Sequence, residues 1–283
     1  MNQRHSYRVL GLAAACLAGA LPAGALTLRC PPDSVKVGDL CVDTYEASVW
    51  QIPASNTGLV RLVQAGRATL ADLTSGGATQ LNPGSNFLAD PGVGTPPPVF
   101  PPTFPTNGQW TAPLYAASIA GVQPAASVSW FQADEACALS VKRLLTNAEW
   151  QRAAAGTPAS PDGSDNGISD CNINSVFETV PTGSRPSCKS NWGAFDMVGN
   201  VAEWVANWVP RSSGCAGWGA FSTDSMCLSG ADPMAIGPGA LIRGGRFTPA
   251  GTVAGVFAIH GDNGPALALP FMGFRCARSF GAP

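Results

Sequence analysis

The sequence predicts an α+β domain, loop-rich, with short strands, two main helices and a disulfide framework. Three observations point there. The 283 residues include 33 glycines and 25 prolines, while charged residues make up only 12%. That composition suits irregular backbone fixed by crosslinks better than a helical bundle. Nine cysteines fall to eight, an even number, once an apolar leader containing Cys16 is set aside. Two segments open on N-terminal capping boxes, and strand-length apolar runs follow between long loops.

At the N-terminus, Arg4 and Arg8 precede the apolar run Val9–Ala20, and Ala23-Gly-Ala25 supplies a small-x-small cleavage site. Residues 1–25 therefore read as a secretory signal peptide. A membrane helix is one alternative, although Pro22 and Gly24 interrupt the run. A lipid anchor at Cys16 is another, although Ala13–Ala15 makes a poor lipobox. Cleavage leaves residues 26–283 as one domain without a transmembrane segment. Its expected location is outside the cytoplasm: periplasmic, extracellular or on the surface of a bacterium. In such a compartment the eight cysteines argue for disulfides. No Cys-x-x-Cys occurs, so thiolate zinc and thioredoxin-type chemistry are not indicated. A net charge of −2 with three lysines leaves no footprint for nucleic acid or an anionic membrane.

Cys30–Trp50 contains the strand-like Leu40–Glu46. Residues 51–124, with the Gly/Thr/Ser stretch 74–79 and the Pro-rich run Pro91–Pro105, are expected to form a surface excursion with at most a short hairpin. Ser129-x-x-Gln132 then starts a helix that places Ala133, Ala136, Cys137 and Ser140 on one face. Thr146-x-x-Glu149 starts a second helix that runs to about Ala155 and stops at Gly156. Short strands are expected at Val201–Trp208, Ala240–Arg243, Val253–His260 and Gly273–Arg278. Trp150, Trp192, Trp204 and Trp208 read as core, with a ligand platform as the alternative. Six cysteines pair most simply by proximity, as Cys30–Cys41, Cys171–Cys188 and Cys215–Cys227, although sequence alone does not fix connectivity.

Three segments in order carry a family resemblance: Val128–Trp150, Phe195-Asp-Met-Val-Gly-Asn-Val-Ala-Glu-Trp204, and Ile242-Arg-Gly-Gly245 with Gly273-Phe-Arg-Cys276. Together they resemble the formylglycine-generating, sulfatase-modifying enzymes, whose fold is C-type lectin-like. The resemblance implies a Cys137–Cys276 disulfide. It also implies a structural calcium ion held by Asp196, the carbonyls of Gly199 and Val201, and Glu203, an oxygen-only set of the kind calcium prefers. Alternatively, Asp196 and Glu203 bond only to loop backbone. The oxidases of the family bind copper through two cysteines after Arg-Gly-Gly, but Pro249 and Ala254 stand at those positions here. Related sulfoxide synthases hold iron with three histidines, whereas His260 is the single histidine left after the signal. Neither copper nor iron is expected.

Residues 246–271 also resemble the C-terminal variable repeats of diversity-generating retroelement proteins. There, randomised AAC codons become NNC, which cannot encode Lys, Glu, Gln, Met or Trp. None of the five occurs in 246–271, although the whole chain holds 29 of them. The resemblance implies a variable surface of Arg246, Thr248, Pro249, Thr252, His260, Gly261, Asp262, Leu267, Leu269, Pro270 and Phe271. Leu267, Leu269, Pro270 and Phe271 would form an apolar contact patch. The alternative is an ordinary divergent loop packed on the domain. The expected function is non-catalytic binding of an unidentified protein or surface ligand. A formylglycine-type oxidase and a structural envelope accessory protein are the alternatives.

Overall fold

A computed structural model describes residues 29–84, 112–158, 164–212, 214–228, 230, 232, 234, 237–247 and 254–280. The leader 1–25, the run 91–105, and Thr248, Pro249 and Thr252 lie outside these residues. The strands are β1 (Ser34–Val37), β2 (Leu40–Asp43), β3 (Ala47–Gln51), β4 (Thr79–Leu81), β5 (Leu114–Ser118), β6 (Arg143–Leu144), β7 (Ala202–Pro210), β8 (Ala216–Gly217), β9 (Ser225–Cys227), β10 (Pro238–Arg243), β11 (Ile259–Asn263), β12 (Met272–Phe274) and β13 (Cys276–Ser279). The helices are α1 (Thr57–Gln64), α2 (Leu70–Ser75), α3 (Trp130–Leu139) and α4 (Asn147–Ala153). Three sheets result, ordered β1-β2-β13-β6, β12-β7-β10-β11-β9-β8 and β4-β3-β5. This is the loop-rich, disulfide-stabilised α+β class.

Both expected capping boxes are present. In α3, Ser129 accepts from the Gln132 N–H and the Gln132 side chain accepts from the Ser129 N–H. In α4, Thr146 and Glu149 do the same. Ala133, Ala136 and Cys137 are buried on one face of α3, and a Cys137–Cys276 disulfide ties that helix to β13. The crosslink spans 139 residues, so chain-entropy arguments assign it roughly 4–5 kcal/mol. The other bonds are Cys30–Cys41, Cys171–Cys188 and Cys215–Cys227.

Several expectations need correction. The described part of 51–124 is not an irregular excursion: α1 and α2 form there, in addition to the two expected helices α3 and α4. In α1 the Asn56 side chain accepts from the Leu59 N–H, and Leu59 and Val63 are buried one turn apart. In α2, Thr69 and Asp72 form a third capping box, obscured by the surrounding Thr, Ser and Gly. Leu59 and Val63 of α1 and Leu73 of α2 pack with Trp50, Ile52, Ala117 and Val122 in a separate apolar cluster.

The strand expected at Val253–His260 begins instead at Ile259. A turn closed by the Ala258 N–H on the Gly255 carbonyl, and the Phe257 N–H on Asp224, hold the preceding residues out of the sheet. The single strand expected at Gly273–Arg278 breaks at Arg275 into β12 and β13, which belong to different sheets. Trp150 and Trp204 are core, but Trp192 and Trp208 are 41% and 43% exposed. Trp208 packs edge-on against Trp130 and Phe131.

Leu73→Ala tests the helical reading of 51–84. Leu73 is fully buried, so truncation should cost about 2–5 kcal/mol and expose α1 and α2 to limited proteolysis. A variant as resistant as the parent, with an unchanged thermal midpoint, would restore the excursion.

Candidate functional site

The loop expected to hold calcium turns through left-handed backbone at Asp196, Gly199 and Asn200. A side chain at Gly199 would lie 2.4 Å from the Asn172 carbonyl, so the approach of the two loops requires glycine there. The loop brings Asp196 and Glu203 into a buried group with Glu46 and Arg275. The Arg275 Nε donates to both Glu203 oxygens at 2.8 and 2.9 Å, and its terminal nitrogens donate to the Asp43 and Phe195 carbonyls. The Trp150 indole N–H donates to Glu203 Oε2 at 2.6 Å. Asp196 accepts from the Gly183 N–H at 2.7 Å. Glu46 accepts from the Val201 N–H at 3.0 Å and from the Asn200 side chain.

These residues do not fit the expected calcium ion. Both Glu203 oxygens are taken by a guanidinium and an indole, and Asp196 is turned to a backbone amide. Arg275 supplies positive charge to the group instead. Burial pushes the Asp196 carboxyl up to about 6, against the pull of the Gly183 amide and Arg275. Burial, then Asp196 and Glu203, hold Glu46 well above the usual carboxylate range. Burial would lower the Arg275 pKa, but Glu203 reverses that and raises it.

A cleft of about 200 Å³ opens beside β10 and β11. Arg246, His260, Asp262, Asn263 and Phe271 line it from 246–271, and Ala202, Cys215, Ile242, Arg243 and Gly245 line it from the framework. Arg243 is buried, donates to Asn147, Gln151 and the Val256 carbonyl, and lies 4.6 Å over the Trp150 ring. Burial lowers its pKa to about 10. The next residue, Gly244, has φ +83°, and a Cβ there would sit 2.7 Å from the Met197 carbonyl. Arg-Gly-Gly thus forms a rigid floor.

Arg246 stacks over Phe271 at 3.9 Å. The His260 Nδ1 lies 3.2 Å from Cys227 Sγ and 3.9 Å from Asp262 Oδ1. Burial lowers the His260 pKa, against Asp262. Cys215, Cys227 and His260 bring three metal-ligating atoms within 4.8 Å, but the two sulfurs are bonded to each other.

The expected variable surface is only partly a surface. Arg246, His260, Asp262 and Pro270 are half-buried, Leu267 is exposed and Gly261 is buried. Phe271 is a member of the main core, with Leu269 packed against it. The apolar patch expected at 267–271 is therefore chiefly an inward anchor. An aromatic ring in an irregular loop has no periodicity to mark its buried side. Ala254, at the second expected thiol position, is buried against Ile173, Val198 and the Cys171–Cys188 pair.

Sequence reasoning missed Glu46, and Arg243, Asn263 and Cys215 as parts of the cleft. An arginine set between the apolar Phe274 and Cys276 was the available signal for the ionic group.

Residues 106–280 match the family described as sulfatase-modifying factor enzyme 1-like domain. The chain belongs to this family. It is 31% identical over 163 residues to serine/threonine-protein kinase Pkn1 of Chlamydia trachomatis serovar L2, covering 55% of this chain and 24% of the kinase. It is 27% identical over 172 residues to the formylglycine-generating enzyme of Thermomonospora curvata, covering 54% of this chain and 55% of that enzyme. It thus spans about a quarter of the one and about half of the other. Among solved structures, PvdO from Pseudomonas aeruginosa is similar at TM-score 0.42 and 20% identity, covering 89% and 90% of the two chains. The Major Tropism Determinant P3c variant is similar at TM-score 0.44 and 17% identity, covering 89% and 54%.

In this family member the ionic group generates a pH dependence. Burial raises Asp196 to about 6, from 3.8 in an unstructured chain, raises the nearby Asp43, paired with Lys142, to about 6 as well, and holds Glu46 well above its usual range. Raised carboxyls contribute stability that is complete below the unfolded value and lost as pH rises through the folded one. His260, with its lowered pKa, acts oppositely but alone. The thermal midpoint should fall between about pH 4 and pH 7, the interval spanned by the unfolded and folded values, and Glu46→Gln should reduce the fall. A midpoint that rises over this interval would contradict the assignment.

Proposed function

We propose that this chain is an exported, non-catalytic binding protein. In this reading the sulfatase-modifying factor scaffold carries a recognition cleft whose variable rim comes from 246–271. The observation that supports it most is the make-up of the cleft. Five lining residues, Arg246, His260, Asp262, Asn263 and Phe271, come from that segment, and the buried Arg243-Gly-Gly245 beneath them belongs to the framework. A rigid floor under changeable side chains keeps the ordering cost of binding low. The mix of guanidinium, imidazole, carboxylate and amide suits a polar partner, with Phe271 as an apolar base.

The residue types support non-catalysis. Pro249 and Ala254 replace the thiols with which the family's oxidases hold copper, and Ala254 is buried. Four disulfides fit an oxidising compartment. No helix among the described residues is long and apolar enough to cross a membrane.

The neighbouring DNA tests the diversified reading. A reverse-transcriptase gene beside an adenine-rich near-copy of the codons for 246–271 is expected, and its absence would leave an undiversified binding protein. Copper-treated protein should leave a sulfatase-motif cysteine peptide unconverted by mass spectrometry. Conversion would make it an oxidase.

The segment should also divide by mutation. His260→Asn with Asp262→Asn should leave stability within about 0.5 kcal/mol per site, as partly exposed changes usually do. Phe271→Ala should cost about 3–5 kcal/mol, because that ring fills the core. Thermal denaturation of the two variants separates them, and equal losses would mean that the whole segment is structural.

A further inference from the structure

The Cys215–Cys227 bond differs from the other three in its surroundings. Cys215 is exposed and lines the cleft, while Cys227 is fully buried on β9. No other disulfide includes an exposed cysteine. Cys137, Cys276, Cys171, Cys188 and Cys41 are all buried, and Cys30 is half-buried.

The buried sulfur has two polar neighbours, His260 Nδ1 at 3.2 Å and Ser225 Oγ at 3.5 Å. A disulfide sulfur carries no proton, so both contacts are hydrogen bonds only if the imidazole and the hydroxyl donate. Two donors aimed at one sulfur would stabilise that sulfur as a thiolate. Thiol–disulfide exchange proceeds faster as its leaving thiolate becomes more stable, and it requires access to the sulfur attacked. Here the exposed, cleft-lining cysteine and the stabilised leaving sulfur belong to the same bond. Arg246 lines the same cleft as Cys215 and, beside Asp262, brings positive charge to the side an incoming anion would meet.

We propose that Cys215–Cys227 is an exchange site for a small, carboxylate-bearing thiol of about the size of cysteine, which a cleft of about 200 Å³ can admit. The thiolate attacks Cys215 Sγ, forming a mixed disulfide there as the Cys215–Cys227 bond breaks. The electron pair passes to Cys227 Sγ, which His260 and Ser225 hold as a thiolate until it takes a proton from solvent. A second small thiol then displaces the first from Cys215. The products are two protein thiols and one oxidised small-molecule disulfide, a two-electron reduction. Opening would release β8, at the edge of the six-stranded sheet, from β9, which pairs with β11 at His260. The thiol would thereby loosen one wall of the cleft, a redox control distinct from ligand recognition.

The test uses the full chain with free cysteine as the thiol and quenching by alkylation, followed by non-reducing peptide mapping. The cysteine adduct should appear on Cys215 and not on Cys227, and this bond should open at least about tenfold faster than Cys137–Cys276. His260→Ala should slow opening about tenfold, the loss of one hydrogen bond to a charged group. His260→Asn, which keeps an N–H near the Nδ1 position, should recover much of the rate. Adduct on Cys227, opening no faster than Cys137–Cys276, or equal rates for the parent and His260→Ala would each overturn the proposal. If His260→Ala does not fold, the regiochemistry and relative rates in the parent protein decide. None of these readouts depends on whether 246–271 recognises a ligand.

Discussion

The structure depends most on the Arg275–Glu203 ion pair. Both side chains are almost completely removed from water, and charges so placed persist only when paired and hydrogen-bonded. Arg275 sits where the C-terminal chain passes from the six-stranded sheet to the four-stranded one. Its guanidinium reaches β7 through Glu203, the end of β2 through the Asp43 carbonyl, and the Asp196 loop through the Phe195 carbonyl. Residues far apart in sequence thus converge on one cation. Deleting one partner of such a pair characteristically costs about 3–5 kcal/mol, because the other charge stays buried. Asp196 and Glu46 would also lose the nearest positive charge that offsets their burial.

That constraint explains the shape of the cleft. Trp150 donates to Glu203 on one side and lies under the Arg243 guanidinium on the other. Arg243 leads directly into Gly244, which has no room for a side chain beside the Met197 carbonyl. The ionic group, the indole and the Arg-Gly-Gly turn form one continuous packed unit. Arg246, His260, Asp262 and Asn263 line the cleft beside this unit.

Much of this fold was legible because its signals are local. Ser129-x-x-Gln132 and Thr146-x-x-Glu149 satisfy their own backbone groups, so each announces a helix without tertiary context. Asn56 and Thr69-x-x-Asp72 do the same for α1 and α2, but the Gly- and Ser-rich residues around them diluted the signal, and the helices were read as loop. The calcium expectation meets a difficulty of a different kind. Asp196 and Glu203 have the right chemistry and spacing for a cation, but the cation that meets them is Arg275, more than 70 residues on from either. Only the three-dimensional arrangement decides between a metal ion and a guanidinium. The burial of Phe271 was likewise invisible, since it follows Leu269-Pro270 in a stretch with no period.

The inward turn of Phe271 narrows where recognition can reside. Gly261 is enclosed by Leu228, Val209 and Leu241, so a side chain there would displace their methyl groups. Leu269 and Phe271 belong to the packing around the main core. Changes at these three positions would alter the scaffold before they altered a contact. Among the described residues of the segment, Arg246, His260, Asp262 and Asn263 bring polar groups to the cleft. Two of them are tied to framework or neighbours, Arg246 over the Phe271 ring and His260 against Cys227. On the proposed binding role, the described part of the segment would present a short polar rim on an apolar anchor, and selectivity for a partner would rest on these charged and amide groups.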